Sequence, residues 1–583
     1  MKYWLYAAIL FTVCIPSSLI GQYYLRGEVK DEKGAMLPGV KIMLQSKGTY
    51  PFSSGSAGFF GIPSSLQVDT ITLIYDGYET MRKAVRTQQY QVLQMKPLAS
   101  TASLMKNKLT SQTNNFNADK TSIFSAFGES YSSLIENSFV DATAYPQTGF
   151  SLNVDRASYS NIRRFLSNEM NVPTDAVRIE EMLNYFDLRT NKNTSDTKKF
   201  SCTTTLTSCP WNNDNKLFFV NITAPKLNLD TVPPSNLVFL IDVSGSMERP
   251  NRLPLLQSAF KLLVENLRSK DTISIVTYGG GVAVRLSSAS GAEKEKINNL
   301  IDSLYADGDT PGEGAIRTAY YMAKKSFIKN GNNRIILATD GDFNVGQTSE
   351  RELDELVSTQ RQSGIYLTCI GVGMGNYKDS KLETLAKKGN GNFAYLDNIF
   401  EAEKVLVQEF TKTIYAVADD VFLNVKFNHD LVKEYRLIGF DNKKDAITDS
   451  SSELEGGEVG SGHNTLAIFE IIPASTIADT TLLFADLTLQ YRLPKTDNTI
   501  FQQFKSTYHP EIFSSANAKL RFATSVTMMG SLLKQSKYAR NFTYEDVLSI
   551  AQNAADTNNT LQEEFIKLVQ KADKLYNYRK KKR

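Results

Sequence analysis

The stretch that most constrains the fold is Leu237 to Met247, LVFLIDVSGSM, in which an unbroken apolar run gives way to an acid and two serines at alternate positions. Leu237 to Ile241 has the length and branched-aliphatic content of a strand buried on both faces of a parallel sheet, and Gly245 marks the turn that ends it. Asp242, Ser244 and Ser246 therefore sit beyond the strand's carboxyl end. One carboxylate and two hydroxyls with no Cys or His nearby are hard oxygen donors, suited to magnesium, manganese or calcium and not to zinc or copper. The spacing alone also fits an ordinary turn, because Ser and Asp crowd into turns.

Two later segments favour the metal site. ADGDTPGEG, residues 306–314, is a glycine-rich loop carrying Thr310 ahead of a helical pattern, and RIILATDGD, residues 334–342, is a second apolar strand ending in Asp340 and Gly341. The order of strand with DxSxS, loop with Thr and strand with TDG resembles the von Willebrand factor type A domain and its metal-ion-dependent adhesion site. Asp242, Ser244, Ser246, Thr310 and Asp340 fill its five positions. The resemblance implies that Ser244 and Ser246 hold the cation directly, Thr310 and Asp242 directly or through water, and Asp340 mostly through water. It also implies that an Asp or Glu carboxylate of a partner protein completes the shell. Asp309 and Glu313, on either side of Thr310, read as loop and helix-start carboxylates. If they face the cation they raise its affinity and repel an acidic ligand, and the family more often carries an uncharged residue at 309.

Residues 235–415 repeat an alternation of apolar strands and amphipathic helices, which gives a doubly wound α/β sheet with its ligand loops at the carboxyl ends of the strands. Its last helix is expected over 399–415, running directly into a strand at Val421, so that a helix shifted by ligand would pull on the next domain. Before it, residues 139–234 carry two helical patterns, DRASYSNIRRFLSNEM and TDAVRIEEMLNYFDL, with Arg163, Arg164, Glu180 and Glu181 as exposed or interhelical charges. Two strand candidates follow, bent at Trp211 and lacking sheet partners nearby. Residues 416–575 return to strands and then helices, so the most economical fold inserts the α/β domain into a β-sandwich built from both flanks. DRASYSNIRRFL, AVRIEEMLNYF, EYRLIGF and GGEVGSGHNTLAIFEI resemble the N- and C-terminal flanking domains of one group of bacterial von Willebrand A proteins.

A chain of 583 residues exceeds one core and requires several domains. Residues 1–21, with Lys2 and an apolar run from Leu5 to Ile15, read as a secretory signal peptide cleaved near Gly21; the residues before Cys14 make a poor lipobox. Residues 22–97 alternate short strands with Gly and Pro and suggest a small β-sandwich. Through LPGVKIML, GFFGI and DGYE they resemble the carboxypeptidase regulatory-like domain, which implies a spacer or docking module without catalysis. Residues 98–138, rich in Ser, Thr, Asn and Lys, read as a linker. No later stretch has some twenty apolar residues, so no transmembrane span is expected. The expected location is therefore the periplasm, cell envelope or outer surface.

The formal charge is +3, and the basic tail of residues 576–583 ends in RKKKR, so the body is near neutral and nucleic-acid binding is not indicated. Cys369 lies in an apolar run as a small hydrophobe, whereas Cys202 and Cys209 could pair only if the chain between them bends. Enzyme motifs are poor. SxxK at Ser258/Lys261 and Ser531/Lys534 falls in helical patterns without a KTG element, GxGxG at Gly371, Gly373 and Gly375 lacks an acidic ribose partner, and His429, His463 and His509 are scattered. Three readings follow: a metal-dependent protein-binding module, an envelope scaffold with a structural or idle metal, and a hydrolase using the cation as Lewis acid.

Overall fold

The computed structural model describes residues 23–580 apart from 33, 35, 49–50, 56, 76–77, 97–107, 111–128, 130, 132–135, 191–198, 228–231, 309–311, 342–355, 362, 375–378, 410–414, 441–456, 475–481, 495 and 497. The signal peptide, Thr310 and Asp309 fall outside the described residues. The chain divides into two compact units.

In the N-terminal unit, β1 (Tyr23–Asp31), β2 (Lys41–Leu44), β3 (Pro51–Ser53), β4 (Phe59–Ser64), β5 (Val68–Ile74), β6 (Met81–Arg86) and β7 (Gln91–Met95) form two sheets, ordered β4-β1-β7 and β3-β2-β5-β6. Alternate side chains such as Leu25 and Val29 of β1 and Ile71 and Leu73 of β5 point into one core. Alternation of buried and open positions, clearest in β4 and β5, on two sheets that share one core gives a sandwich.

The larger unit opens with β8 (Lys108–Thr110), β9 (Val140–Asp141), β10 (Gln147–Ser151), the helices α1 (Ala157–Ser167) and α2 (Ile179–Asn184), and then β11 (Ser201–Cys209) and β12 (Asn212–Thr223). The α/β domain follows with β13 (Ser235–Asp242), α3 (Leu253–Glu265), β14 (Thr272–Gly279), β15 (Gly281–Ser290), α4 (Lys294–Asp302) and α5 (Gly312–Lys325). It continues through β16 (Asn332–Thr339), β17 (Ile365–Val372), α6 (Asp379–Lys388), β18 (Phe393–Leu396) and α7 (Ile399–Glu403). The chain closes with β19 (Ala416–Phe427), β20 (Val432–Ile438), β21 (Gly457–Gly460), β22 (Asn464–Pro473), β23 (Leu483–Arg492), β24 (Thr499–Thr507), β25 (Pro510–Glu511), α8 (Ala518–Leu533), α9 (Tyr544–Ala554) and α10 (Thr560–Lys580).

The central sheet is ordered β15-β14-β13-β16-β17-β18, parallel except for the antiparallel edge strand β15. Its order reverses at β13, which feeds outward on both sides. Every residue of β13 is buried because helices cover both faces: Phe239 and Ile241 pack with Leu256 and Phe260 of α3, and Val238 and Leu240 with Ile316 and Ala319 of α5. This explains why the strand reads as an unbroken apolar run. Two further sheets, β24-β23-β19-β10-β8 and β25-β11-β12-β22-β20-β9, each mix strands from before and after the α/β domain and share one core, so the domain is inserted into a sandwich made by both flanks. The closing helices α8, α9 and α10 pack with α1 and α2 and with one sandwich face.

Two expectations, on the linker and on the last helix of the α/β domain, need correction. The linker is not structureless throughout, because Lys108–Thr110 pairs with β10, Glu129 forms an ion pair with Arg164 at 2.6 Å, and Tyr131 is buried. Of the two alternatives for Arg163, Arg164 and Glu181, the exposed one holds for none, since all three are buried, and the interhelical one holds for two: Glu181 of α2 accepts from the Ser158 N–H of α1 at 2.8 Å, and Arg163 joins α1 to Asp397 and Glu401 of the α/β domain at 2.5 and 2.7 Å. The last helix of that domain is α-helical only over Ile399–Glu403 and then widens into a π turn over Lys404–Gln408, with residues 410–414 undescribed and the next strand starting at Ala416. Cys202 and Cys209 lie on one strand, β11, and are not bonded to each other.

Candidate metal site

Asp242 ends β13 and Asp340 follows β16, its immediate neighbour, so parallel pairing alone brings the two acids to the same end of the sheet. Asp242 is fully buried. Its Oδ1 accepts from the Ser244 N–H at 2.9 Å, and its Oδ2 accepts from Thr339 Oγ1 at 2.7 Å and from Tyr278 OH at 3.2 Å. These bonds hold the DxSxS turn against the strand end. Burial pushes the Asp242 carboxyl up to about 6, opposed by the hydrogen bonds from Ser244 and Thr339, while the nearby Asp340 adds to the rise. A carboxylate so placed favours a compensating cation.

The two hydroxyls converge beside it. Ser244 Oγ and Ser246 Oγ are 3.2 Å apart, and Ser246 Oγ donates to Asp340 Oδ2 at 2.8 Å. The separation of the two serine oxygens is close to the edge of an octahedron with metal–oxygen bonds of about 2.1 Å, about 3.0 Å, while the bond from Ser246 to Asp340 aims the hydroxyl from behind. The oxygen set thus fits a small hard cation such as magnesium. Ser244 is buried while Gly245 and Ser246 are exposed, so the site opens to solvent at the turn. Of the five residues expected from sequence, four are brought together; Thr310 lies outside the described residues, though the loop leading toward it is fixed here. Asp307 N–H donates to Val243 O at 2.7 Å and Gly245 N–H to Gly308 O at 3.0 Å. A Cβ on Gly308 would lie 2.3 Å from the Gly280 Cα, so this approach requires glycine at a φ of +74°.

Three residues of the site were missed by sequence reading: Tyr278, Thr339 and Arg252. The Arg252 guanidinium is buried and donates from Nη1 to Asp340 Oδ2 at 2.5 Å and to Ser246 O at 2.7 Å, and from Nη2 to Met374 O at 3.0 Å. It passes over Gly373, where a Cβ would stand 2.5 Å from Arg252 Nε. The GxGxG stretch therefore accommodates an arginine. The SxxK serines are ordinary helix residues, since Ser258 and Ser531 donate to carbonyls four residues back. His429, His463 and His509 all belong to the sandwich, away from this strand end.

The family model described as "von Willebrand factor type A domain" matches residues 236–412. Two others, described as "von Willebrand factor" and "Uncharacterized protein YfbK, C-terminal", match residues 125–218 and 412–575. The uncharacterized protein YfbK of Escherichia coli (strain K12) is 37% identical over 467 residues, 76% of this chain and 81% of that protein. Inter-alpha-trypsin inhibitor heavy chain H2 of Homo sapiens is 26% identical over 220 residues, 36% of this chain and 22% of that protein. Among solved structures, a von Willebrand factor type A protein from Catenulispora acidiphila aligns over 64% of this chain and 89% of its own with a TM-score of 0.39 and 12% identity.

Proposed function

The chain belongs to the YfbK family of von Willebrand factor type A proteins, and from that membership we propose that it is an exported protein-binding protein whose capture of partners depends on a divalent cation. The observation that carries this reading is the convergence of Asp242, Ser244, Ser246 and Asp340 at one strand end, with the two serine oxygens at a separation that suits a small hard cation and with Ser246 open to solvent. Ser244 and Ser246 would hold the cation directly and Thr310 would reach it from the neighbouring loop. Asp242, whose oxygens already hold the turn, would act mainly through water, as would Asp340. The bound ion supplies a Lewis-acidic position for an Asp or Glu carboxylate of a partner protein.

Export rests on the apolar N-terminal stretch, and the envelope or periplasm is the location we infer from it. Among the described residues no helix is long and apolar enough to cross a membrane. The scaffold reading draws on Arg252, which already satisfies one oxygen of Asp340 and could leave the metal structural. Calorimetric titration of magnesium and manganese into the mature protein tests the site directly. Binding by the parent and loss of at least tenfold in affinity in Asp242→Ala and Thr310→Ala is the expected result. A folded parent that takes up neither ion would overturn the metal-dependent reading and shift attention to the β units.

A further inference from the structure

β15 is the terminal strand of the central sheet, and among the described residues nothing pairs with its outer side. Edge strands attract other strands, and proteins usually blunt them with bulges, charges or proline. Here the blunting is uneven. The half of β15 far from the metal site carries both register irregularities, around Leu286 and beyond it, and Ser288 at a φ of +49°. The half next to the site, Gly281 to Val284, pairs regularly with β14 and exposes Val282 and Val284, 37% and 46% accessible. Arg285 marks the boundary between the two halves. Only the end that faces the cation site is left as a flat apolar edge.

The same strand end is continuous with the site. Val282 pairs with Tyr278, which pairs with Asp242, so edge and ligand share one row of the sheet. The hairpin between β14 and β15 is Gly279-Gly280-Gly281, which carries no side chains; Gly279 and Gly280 are packed against the backbone of Val243, Asp307 and Gly308, while a Cβ on Gly281 would meet nothing within 4 Å, so the way from edge to site opens at Gly281 and runs past the 307–308 loop. A strand added outside β15 would lie three spacings from β13, about 14 Å, which an extended chain crosses in about four residues. Tyr305, 70% accessible and two residues before Asp307, offers an aromatic rim along the loop beside that path.

Resting on the cation reading above, we propose that the partner is an extended protein segment that adds to the free edge of β15 at Gly281–Val284 and carries an Asp or Glu across the glycine hairpin to the metal. Unsatisfied edge N–H and C=O groups supply affinity, and Val282 and Val284 select apolar side chains at alternate partner positions. Antiparallel pairing continues the β14–β15 arrangement and is slightly more stable per residue. It also runs the partner toward the site, so the acidic residue follows the paired segment by three to five residues, an estimate of about the crossing length plus side-chain reach.

A random dodecapeptide display library, panned on the full mature chain with magnesium and counter-selected with chelator, tests this. Ala283→Pro and Val284→Pro are both made, because successive N–H groups point to opposite edges; the variant whose magnesium titration matches the parent has lost the outward donor. Magnesium-dependent peptides are expected to alternate apolar residues and then place an acid downstream. Their affinity should fall at least tenfold on that proline variant or on Asp→Asn in the peptide, and amide exchange at 281–284 should slow in the complex. Peptides that bind the proline variant unchanged, that protect only the loops at 245–249 and 305–308, or that never emerge although magnesium binds would overturn the added strand and leave the cation site standing. Failure of the parent to bind magnesium in the peptide-free titration would instead remove the premise, and this inference with it.

Discussion

Arg252 shifts the charge of the site. Among its described residues, Asp242 and Asp340 bring two negative charges that a divalent ion would cancel, and the guanidinium 2.5 Å from Asp340 adds a positive charge toward an incoming carboxylate. Arg252→Gln should therefore tighten magnesium binding by about tenfold, since a unit charge at such range is worth on the order of 1–2 kcal/mol after screening. It should weaken capture of acetate or an acidic peptide by a similar factor. Calorimetry with each probe checks both, and weaker magnesium binding would mean that the arginine serves only to anchor Ser246 O and Met374 O. Asp242, Ser244, Ser246 and Asp340 were legible because each follows an apolar run or lies in a short turn. Tyr278 was not, because its contact with Asp242 comes from cross-strand register. Nor was Arg252, whose role needs the turn at Gly373 to pass beside it.

At the level of elements, the end of the α/β domain departs most from its sequence pattern. Apolar positions in VLVQEF suit a helix of ordinary pitch, yet the chain widens into a π turn that buries Lys404 against Tyr185, with its Nζ 3.1 Å from the ring centroid. That ammonium has no hydrogen-bond partner among the described residues, and periodicity cannot show this because the enclosing groups come from α1, α2 and α7. Burial pulls the Lys404 amine down to about 8, although Glu409 and Glu401 favour its charged form. Its ordinary value, about 10.5 in an unfolded chain, is higher, so between pH 8 and 10.5 the unfolded state binds more protons and stability rises with pH. Below about pH 8 the fold carries the whole cost of the buried charge, on the order of 3 kcal/mol. Lys404→Met should therefore raise the urea midpoint at pH 7 and remove this alkaline gain. Parallel titrations of parent and variant from pH 7 to 10.5 check it, and equal pH dependence in both would show that the ammonium is not the strained group.

For the larger unit as a whole, the insertion was legible because each flank offered apolar strands without enough partners of its own, and the pairing of β12 with β22 and of β10 with β19 joins them. The couplings between the α/β domain and its surroundings were hidden, since they are buried ion pairs between residues far apart in sequence. Arg178 of the N-terminal flank meets Asp379 and Glu383 at 2.9 and 2.7 Å, Arg334 meets Glu458 of the C-terminal flank at 2.7 Å, and Arg163 meets Asp397 and Glu401. Separating the domain would strand these charges in a poorly solvated interface, where losing one partner of a buried pair costs about 3–5 kcal/mol. The two strand junctions that cross into the domain add chain constraint on both sides. Partial opening of the α/β domain alone should therefore be rare, and the sandwich and the central sheet should unfold as one cooperative block. Hydrogen exchange along a urea series measures this: amides of β13 and of β12 and β22 are expected to merge into one opening isotherm. Separate isotherms for the two would mean that the ion pairs do not couple the insertion to its host, and that a pull on the last helix would stop at Ala416 instead of reaching the sandwich.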